Sequence, residues 1–288
     1  MRRLFLASAL LAVMLVPASS ASAALEGEYA RFNKCPLANP AVELCVYAET
    51  TAGTFTTGKK TVPLVNKQIL QGGADPVING EIFGPLNFVA ASDGNTLSKT
   101  PQPVPGGLLG ITAPSWWPQL LKDLFNETIN NGFTGVTATV ELAAPASAIQ
   151  LNLPATLSGV GTALQLPVKV KLSNPFLGSN CYIGSNSNPI VLPLTTGTTS
   201  PPPPNTPITG DPGELAGIAE GILAAKENRL VNNSFAAPGA NGCGGFLFSW
   251  LVDPFVNSIV GVPSPAGTNT AILEGTTYLG DAAVLRTK

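Results

Sequence analysis

Histidine is absent from this 288-residue chain, methionine occurs only as Met1 and Met14, and charged residues make up 11%. Each shortage removes a class of chemistry. Without His, no triad with an imidazole base can be assembled, and zinc sites lose their commonest ligand. Neither a Gly-x-Ser-x-Gly elbow nor a Ser-x-x-Lys spacing occurs, so the usual signatures of an activated serine are missing. Calcium would need clustered carboxylates, and there is no Asp-x-Asp loop. Asp93-Gly94-Asn95 reads as a turn instead. The cysteines lie too far apart in sequence for a metal–thiolate site. No catalytic residue, metal or cofactor is therefore expected. The charged fraction is well below the roughly 25% usual in soluble domains, so polarity rests on Thr, Ser, Asn, Gly and Pro. There is no basic stripe and the formal net charge is −2, which argues against nucleic acid as a partner.

What is present begins with an export signal. Arg2 and Arg3 precede an apolar run from Leu4 to Val16, Pro17 ends it, and Ala21-Ser22-Ala23 follows. A basic head, an apolar stretch and a small-x-small site read as a secretory signal peptide over 1–23. The run is shorter than the roughly 20 residues of a spanning helix. Its hydrophobicity and short head favour the general secretory route over the twin-arginine one. Cleavage after Ala23 leaves 13 basic against 17 acidic residues. No Cys follows the site, and no later segment suits an integral membrane anchor. Residues 24–288 are expected to act outside the cytoplasm as one large β-rich domain, or as one dividing near 131–134.

Four cysteines in an oxidising compartment suggest two disulfides, with three pairings open. We expect Cys35–Cys45, across a loop carrying Pro36, Asn39 and Pro40, and Cys181–Cys243, tying a strand end to the turn Asn241-Gly242-Cys243-Gly244-Gly245.

The middle of the chain alternates. Val136, Ala138, Val140 and Leu142 take every second position, as do Ile149, Leu151 and Leu153. Leu164, Leu166, Val168, Val170 and Leu172 repeat the pattern, and Ile190, Leu192 and Leu194 close it. Period two means strands with one face in the core, the habit of antiparallel sheets. Leu44–Thr51, Phe55–Leu64 and Thr270–Leu279 also read as strands. The fold expected is mainly β, an antiparallel sandwich or barrel-like sheet with two or three short covering helices. Those helices are Pro118 to Asn130, stopped by Gly132, then Asp211 to Leu230, and Phe246 to Val260. In the first, Leu120, Leu121, Leu124, Phe125 and Ile129 make an apolar stripe. In the second, Asp211 serves as cap, Pro212 as first residue, and Leu215, Ile218, Ala219, Ile222 and Leu223 as the face covering the sheet. Pro201 to Pro204 reads as a stiff extended spacer.

The stretch Leu172-Ser173-Asn174-Pro175-Phe176-Leu177-Gly178-Ser179-Asn180-Cys181-Tyr182-Ile183-Gly184-Ser185 is distinctive. With Asn241 to Gly245 and Asn269-Thr270-Ala271-Ile272-Leu273-Glu274-Gly275, it resembles a group of uncharacterised secreted actinobacterial proteins. The resemblance covers about the last 150 residues. It implies no activity. It does imply that Cys181 and Cys243 belong to a shared framework.

Candidate functional residues are few. Trp116 and Trp117, flanked by Pro114 and Pro118, are the best candidates for ligand contact, on a sugar or a partner surface. Asp123 and Glu127 stand four apart on a helix, and Asp253 and Glu274 lie in apolar surroundings; a carboxylate pair among these would be needed for glycoside hydrolysis. Leu192-Pro193-Leu194-Thr195-Thr196-Gly197 resembles a cell-wall sorting motif with one residue inserted, but its place in the middle of the chain makes it a strand end. The expected role is a non-catalytic extracellular binding or structural module, whose partner is a cell surface or a small molecule. The rivals are a carrier of apolar small molecules, which needs a large apolar cavity under Leu215 to Leu223, and a carboxylate-dependent carbohydrate hydrolase, which needs two of the named acids roughly 5–10 Å apart in one cleft. On this reading the exported product begins at Ala24, which N-terminal sequencing of protein recovered from the medium will check.

Overall fold

The computed structural model describes residues 24–75, 85–108, 113–130 and 134–288. The leader expected over 1–23 and the stop expected at Gly132 lie outside the described residues.

Strands dominate. In chain order they are β1 (Leu44–Thr57), β2 (Lys60–Pro63), β3 (Gln68–Asp75), β4 (Leu86–Ala90), β5 (Gln102–Pro103), β6 (Thr137–Leu142) and β7 (Gln150–Leu151). There follow β8 (Leu164–Ser173), β9 (Tyr182–Ile183), β10 (Ile190–Leu194), β11 (Glu214–Ala219), β12 (Ile222–Asn232), β13 (Ala240–Asn241) and β14 (Thr270–Asp281). The helices are short: α1 (Gln119–Asn130), α2 (Leu153–Ser158), α3 (Gly245–Val260) and α4 (Ala282–Leu285). All fourteen strands join one antiparallel sheet with the path β11-β12-β14-β1-β3-β4-β7-β8-β6-β5. β10 and β9 pair with β8, β2 pairs with β1, and β13 pairs with β9.

The sheet bends back so that its two halves share one core. Val46, Leu70, Phe88 and Ala271 from one half meet Ala138, Leu166, Val168, Val170 and Leu192 from the other. The circuit nearly closes. Just past β10 the chain meets β12 through the isolated bridge Thr195–Val231, with N···O distances of 2.9 and 2.8 Å, and the Asn232 side-chain amide donates to the Pro193 carbonyl at 2.6 Å, with no ladder between the two strands. The sheet is therefore not a closed barrel. Alternation explains the inner face: on β8 Leu164, Leu166, Val168, Val170 and Leu172 are buried, and on β10 Ile190, Leu192 and Leu194.

β1 is the spine. Its register with β14 runs from Leu44–Asp281 to Thr56–Thr270, broken by a bulge between Thr50 and Ala52. Its other edge carries β3 up to Thr50 and β2 from Thr54. The bulge bends the strand from one pairing to the next. The strands expected at Leu44–Thr51 and Phe55–Leu64 are divided differently: β1 runs unbroken to Thr57, and a turn at Gly58 and Lys59 reverses the chain into β2, so Phe55–Leu64 is a hairpin and not one strand. Two glycines permit the bend. Gly53 has φ +121°, and a Cβ on Gly275 would stand 1.8 Å from the Glu49 carbonyl oxygen.

Both expected disulfides are present, Cys35–Cys45 and Cys181–Cys243, and no described cysteine is free. On a chain-entropy account the 62-residue separation of the second would contribute roughly 4 kcal/mol. The first closes a loop that the Arg286 guanidinium holds, donating to the carbonyls of Leu37, Asn39 and Val42 at 2.9, 3.0 and 2.7 Å. Beneath it lies a small second core of Leu25, Phe32, Val42, Ile222, Ala282 and Leu285.

The helix expected over Asp211 to Leu230 is not formed. The segment is the hairpin β11–β12, and β12 pairs on to β14. Gly221, at φ +69°, makes the turn that a continuous helix could not accommodate. The apolar residues are divided between the strand's two faces: Ile222 and Ala224 are buried, whereas Leu215 and Leu223 are exposed. Asp211 caps no helix; its carboxylate accepts from the Gly213 N–H at 2.8 Å. The Ile149–Leu153 alternation yields only the two residues of β7, because the Asn152 carboxamide accepts from the Ala155 N–H and starts α2. Pro203 and Pro204 turn rather than continue an extended segment, and Asn205 N–H then reaches the Gly267 carbonyl at 3.0 Å. The other two helices form as α1 and α3. Gly275→Ala is expected to cost more than about 2 kcal/mol, because backbone must move to admit the methyl; urea unfolding will measure it.

Candidate functional site

The bend in the sheet leaves space inside it. Two apolar cavities sit end to end between the sheet halves. The first, of about 80 Å³, is walled by Val62 and Leu64 from the β2 side, Ala138 and Val140 of β6, and Val170 and Leu172 of β8. The second, of about 90 Å³, is bounded by Leu70, Leu166, Val168, Leu192, Leu230 and Leu273 among others. Phe55, Leu64 and Val140 line both and form the partition. Phe55 is held there by stacking on Phe235, with ring centroids 5.6 Å apart.

α3 closes the first cavity. Val256, Ile259 and Val260 face into it, while Phe246, Leu247, Phe248, Trp250, Leu251 and Phe255 are exposed on the outside. Several contacts fix the helix at its ends. The Asp253 carboxylate accepts from the N–H groups of Gly242 and Cys243 at 3.2 and 2.7 Å. The Asn257 carboxamide oxygen accepts from the Ala240 N–H at 2.7 Å. Its backbone carbonyl accepts from Gly261 and Val262. Lys59 N–H also donates to the Val260 carbonyl at 2.7 Å, joining the β1–β2 turn to the end of the helix.

Two polar groups touch the first cavity besides Thr57: Gln102 and Lys60. Gln102 is occupied. Its carboxamide oxygen accepts from the N–H groups of Val65 and Asn66 at 2.9 Å each, and its amide donates to the Asn66 carbonyl at 2.6 Å. Lys60 takes part in none of the ion pairs among the described residues. Burial alone lowers its pKa.

The residues singled out from sequence do not converge here. Trp116 is 80% exposed, and Trp117 packs edge-on against Phe125 of α1 at 5.6 Å. Neither lines either of the two apolar cavities. On α1, Leu120, Leu121 and Leu124 are exposed. Asp123 accepts from the Gln119 amide at 2.8 Å, and Glu127 is exposed. Asp253 is engaged with backbone, as above. Glu274 stands 3.2 Å from the Arg229 Nε in an ion pair, at a polar surface groove shared with Asp211 and Glu227. Glu227 sits at the β12 bulge with φ +55°. A second polar groove surrounds Tyr182, whose phenol pKa is raised by burial and then by Glu141. Among the described residues, no three Asp, Glu or Cys side chains are grouped to hold a metal ion. Asp93-Gly94-Asn95 is a turn, with the Asp93 carboxylate accepting from the Asn95 N–H at 2.9 Å. Leu192 to Gly197 is the end of β10, and Thr196 donates to the Thr156 carbonyl at 2.7 Å.

Two asparagines of the distinctive stretches are bound to backbone. Asn269 is fully buried: its oxygen accepts from Gly58 N–H and the Ser264 hydroxyl at 2.9 and 2.7 Å, and its amide donates to the Phe235 carbonyl at 2.9 Å. Asn174 donates to the Gly135 carbonyl at 2.7 Å. The cavity residues were legible in part. Ala138, Val140, Val170 and Leu172 belong to the alternation read from sequence; Lys60 is not singled out by it, because reading Phe55 to Leu64 as one strand puts Lys60 on the face opposite Phe55, and only the hairpin brings both to the cavity. No family model matches the chain, and no curated protein or solved structure matches it.

Asp253→Ala is expected to lower stability by about 2 kcal/mol, since two N–H groups lose their acceptor. Trp116→Ala should stay within about 0.5 kcal/mol of the parent. Paired denaturation curves will separate the two.

Proposed function

We propose that this protein is a non-catalytic binding module, working outside the cytoplasm, that carries a small apolar molecule inside its sheet. The observation that carries this reading is the pair of apolar cavities meeting at Phe55, Leu64 and Val140, the first walled by α3. An apolar cavity of about 150 Å³ in a protein core stays dry and binds benzene. Water gains nothing in such a space, whereas an apolar guest recovers the missing dispersion contacts. The arrangement favours small or slender guests over bulky ones. Two disulfides suit an oxidising compartment. Among the described residues no helix is long and apolar enough to cross a membrane.

The carrier reading is preferred to the hydrolase reading on a specific ground. Asp123, Glu127, Asp253 and Glu274 stand on α1, α3 and β14, and none lines either cavity. The large cavity expected under Leu215 to Leu223 is not what supports the carrier: neither cavity is lined by those residues, and the two have volumes of about 80 and 90 Å³.

A guest that binds only the folded state raises its melting temperature. 1-Octanol is expected to raise it in a saturable way, and Ala138→Leu, which fills the first cavity, should abolish the rise without lowering the melting point of the free protein. Absence of any octanol-dependent rise in the parent protein would sink the proposal.

A further inference from the structure

Lys60 is out of keeping with its position. It starts β2 opposite Thr57, and the period of the strand places it on the same face as Val62, followed inward by Leu64. All three line the first cavity. A core-facing position on a strand is ordinarily apolar, and a lysine is almost never placed there unless paired. Here no carboxylate among the described residues pairs with it. Glu49, the acid that lines the neighbouring cavity, is bound to Lys67 at 2.8 Å. Of the other polar residues on the lining, Gln102 is consumed by the Val65 and Asn66 backbone, and Thr57, the cross-strand neighbour of Lys60, brings a neutral hydroxyl and no charge. Lys60 is thus a half-buried lysine on a mostly apolar lining, with a desolvation cost that no described ion pair offsets. An anionic group arriving with the guest would offset it.

We propose that the natural guest is an amphiphile, an apolar chain or ring bearing a carboxylate, with the apolar part in the cavities and the carboxylate held by Lys60. This rests on the carrier reading and adds the chemical class of the ligand. The geometry agrees with that division. Lys60 is half-buried next to the exposed turn residue Lys59, so it marks the rim. Phe55 and Val140 lead from that end toward the second cavity. A charge-assisted hydrogen bond in a water-poor site is stronger than a neutral one and selects for the ionised head. The competing account is that the lysine stem merely covers apolar surface while its head reaches water. That account predicts no preference for an anion.

The test compares octanoate with 1-octanol, which share a chain and differ in the head group. Calorimetry or melting shifts at neutral pH give the ratio of their affinities for each protein. In the parent the ratio should favour octanoate. In Lys60→Met it should fall about ten-fold, and in Lys60→Arg, which keeps the charge, it should remain near the parental value. Melting curves without ligand confirm that each variant is folded. If octanol binds and the ratio is the same in the parent and in Lys60→Met, the role of Lys60 is overturned while the carrier reading stands. If neither compound binds the parent, both are overturned.

Discussion

The antiparallel pairing of β1 with β14 holds the other elements in relation to one another. These two strands cross the molecule and belong to both of its cores. At one end Cys45, with Tyr47 two residues on, and Ala282, just after β14, belong to the small cluster around Phe32. At the other end Phe55 and Ala271 belong to the large core. A flat pair of that length would give an open sheet. The bulge at Thr50 and Ala52, with glycine at Gly53 and Gly275 where the two backbones nearly touch, bends it instead. Once bent, the sheet faces itself, and the alternating residues of β6, β8 and β10 find their partners across the gap.

The same bend accounts for the cavities. Two sheet halves that diverge from a curved spine cannot be filled equally well along their whole length. The inward residues of β6 and β8 near the first cavity include Ala138, Val140, Val170 and Leu172, and the smaller of these do not reach across. α3 covers the remaining opening with three aliphatic side chains, held by the Asp253 and Asn257 contacts and by the disulfide turn at Cys243. Support around the cavity therefore comes from hydrogen bonds between the α3 side chains and backbone N–H groups, and from a covalent link.

Much of the sheet was legible because alternation is a local signal with a simple cause: on a strand, every second side chain shares a face. β6, β8, β10 and β14 were read with bounds close to those observed, and both disulfides were read from spacing and turn chemistry. The segment from Asp211 to Leu230 was misread because its apolar residues fit a helical stripe as well as a hairpin. The choice was made elsewhere, by the free edge of β14 that β12 completes and by the left-handed turn at Gly221. Local pattern cannot report which edge of a distant strand is unpaired.

The candidate site divides in the same way. The sequence alone determined the chemistry that is missing, since an imidazole base cannot be built from residues that are not there, and it determined which positions of each strand face inward. Only the tertiary structure decided that Trp116 stays on the outside, that Asp253 serves the backbone of the Cys243 turn, and that Lys60 lines the same cavity as Val256 and Val260. The physical reason is range. A strand's facing follows from its nearest neighbours in sequence, whereas a cavity is the distance left between elements, and that distance is set by how β1 bends and which residues from the far end of the chain meet it there.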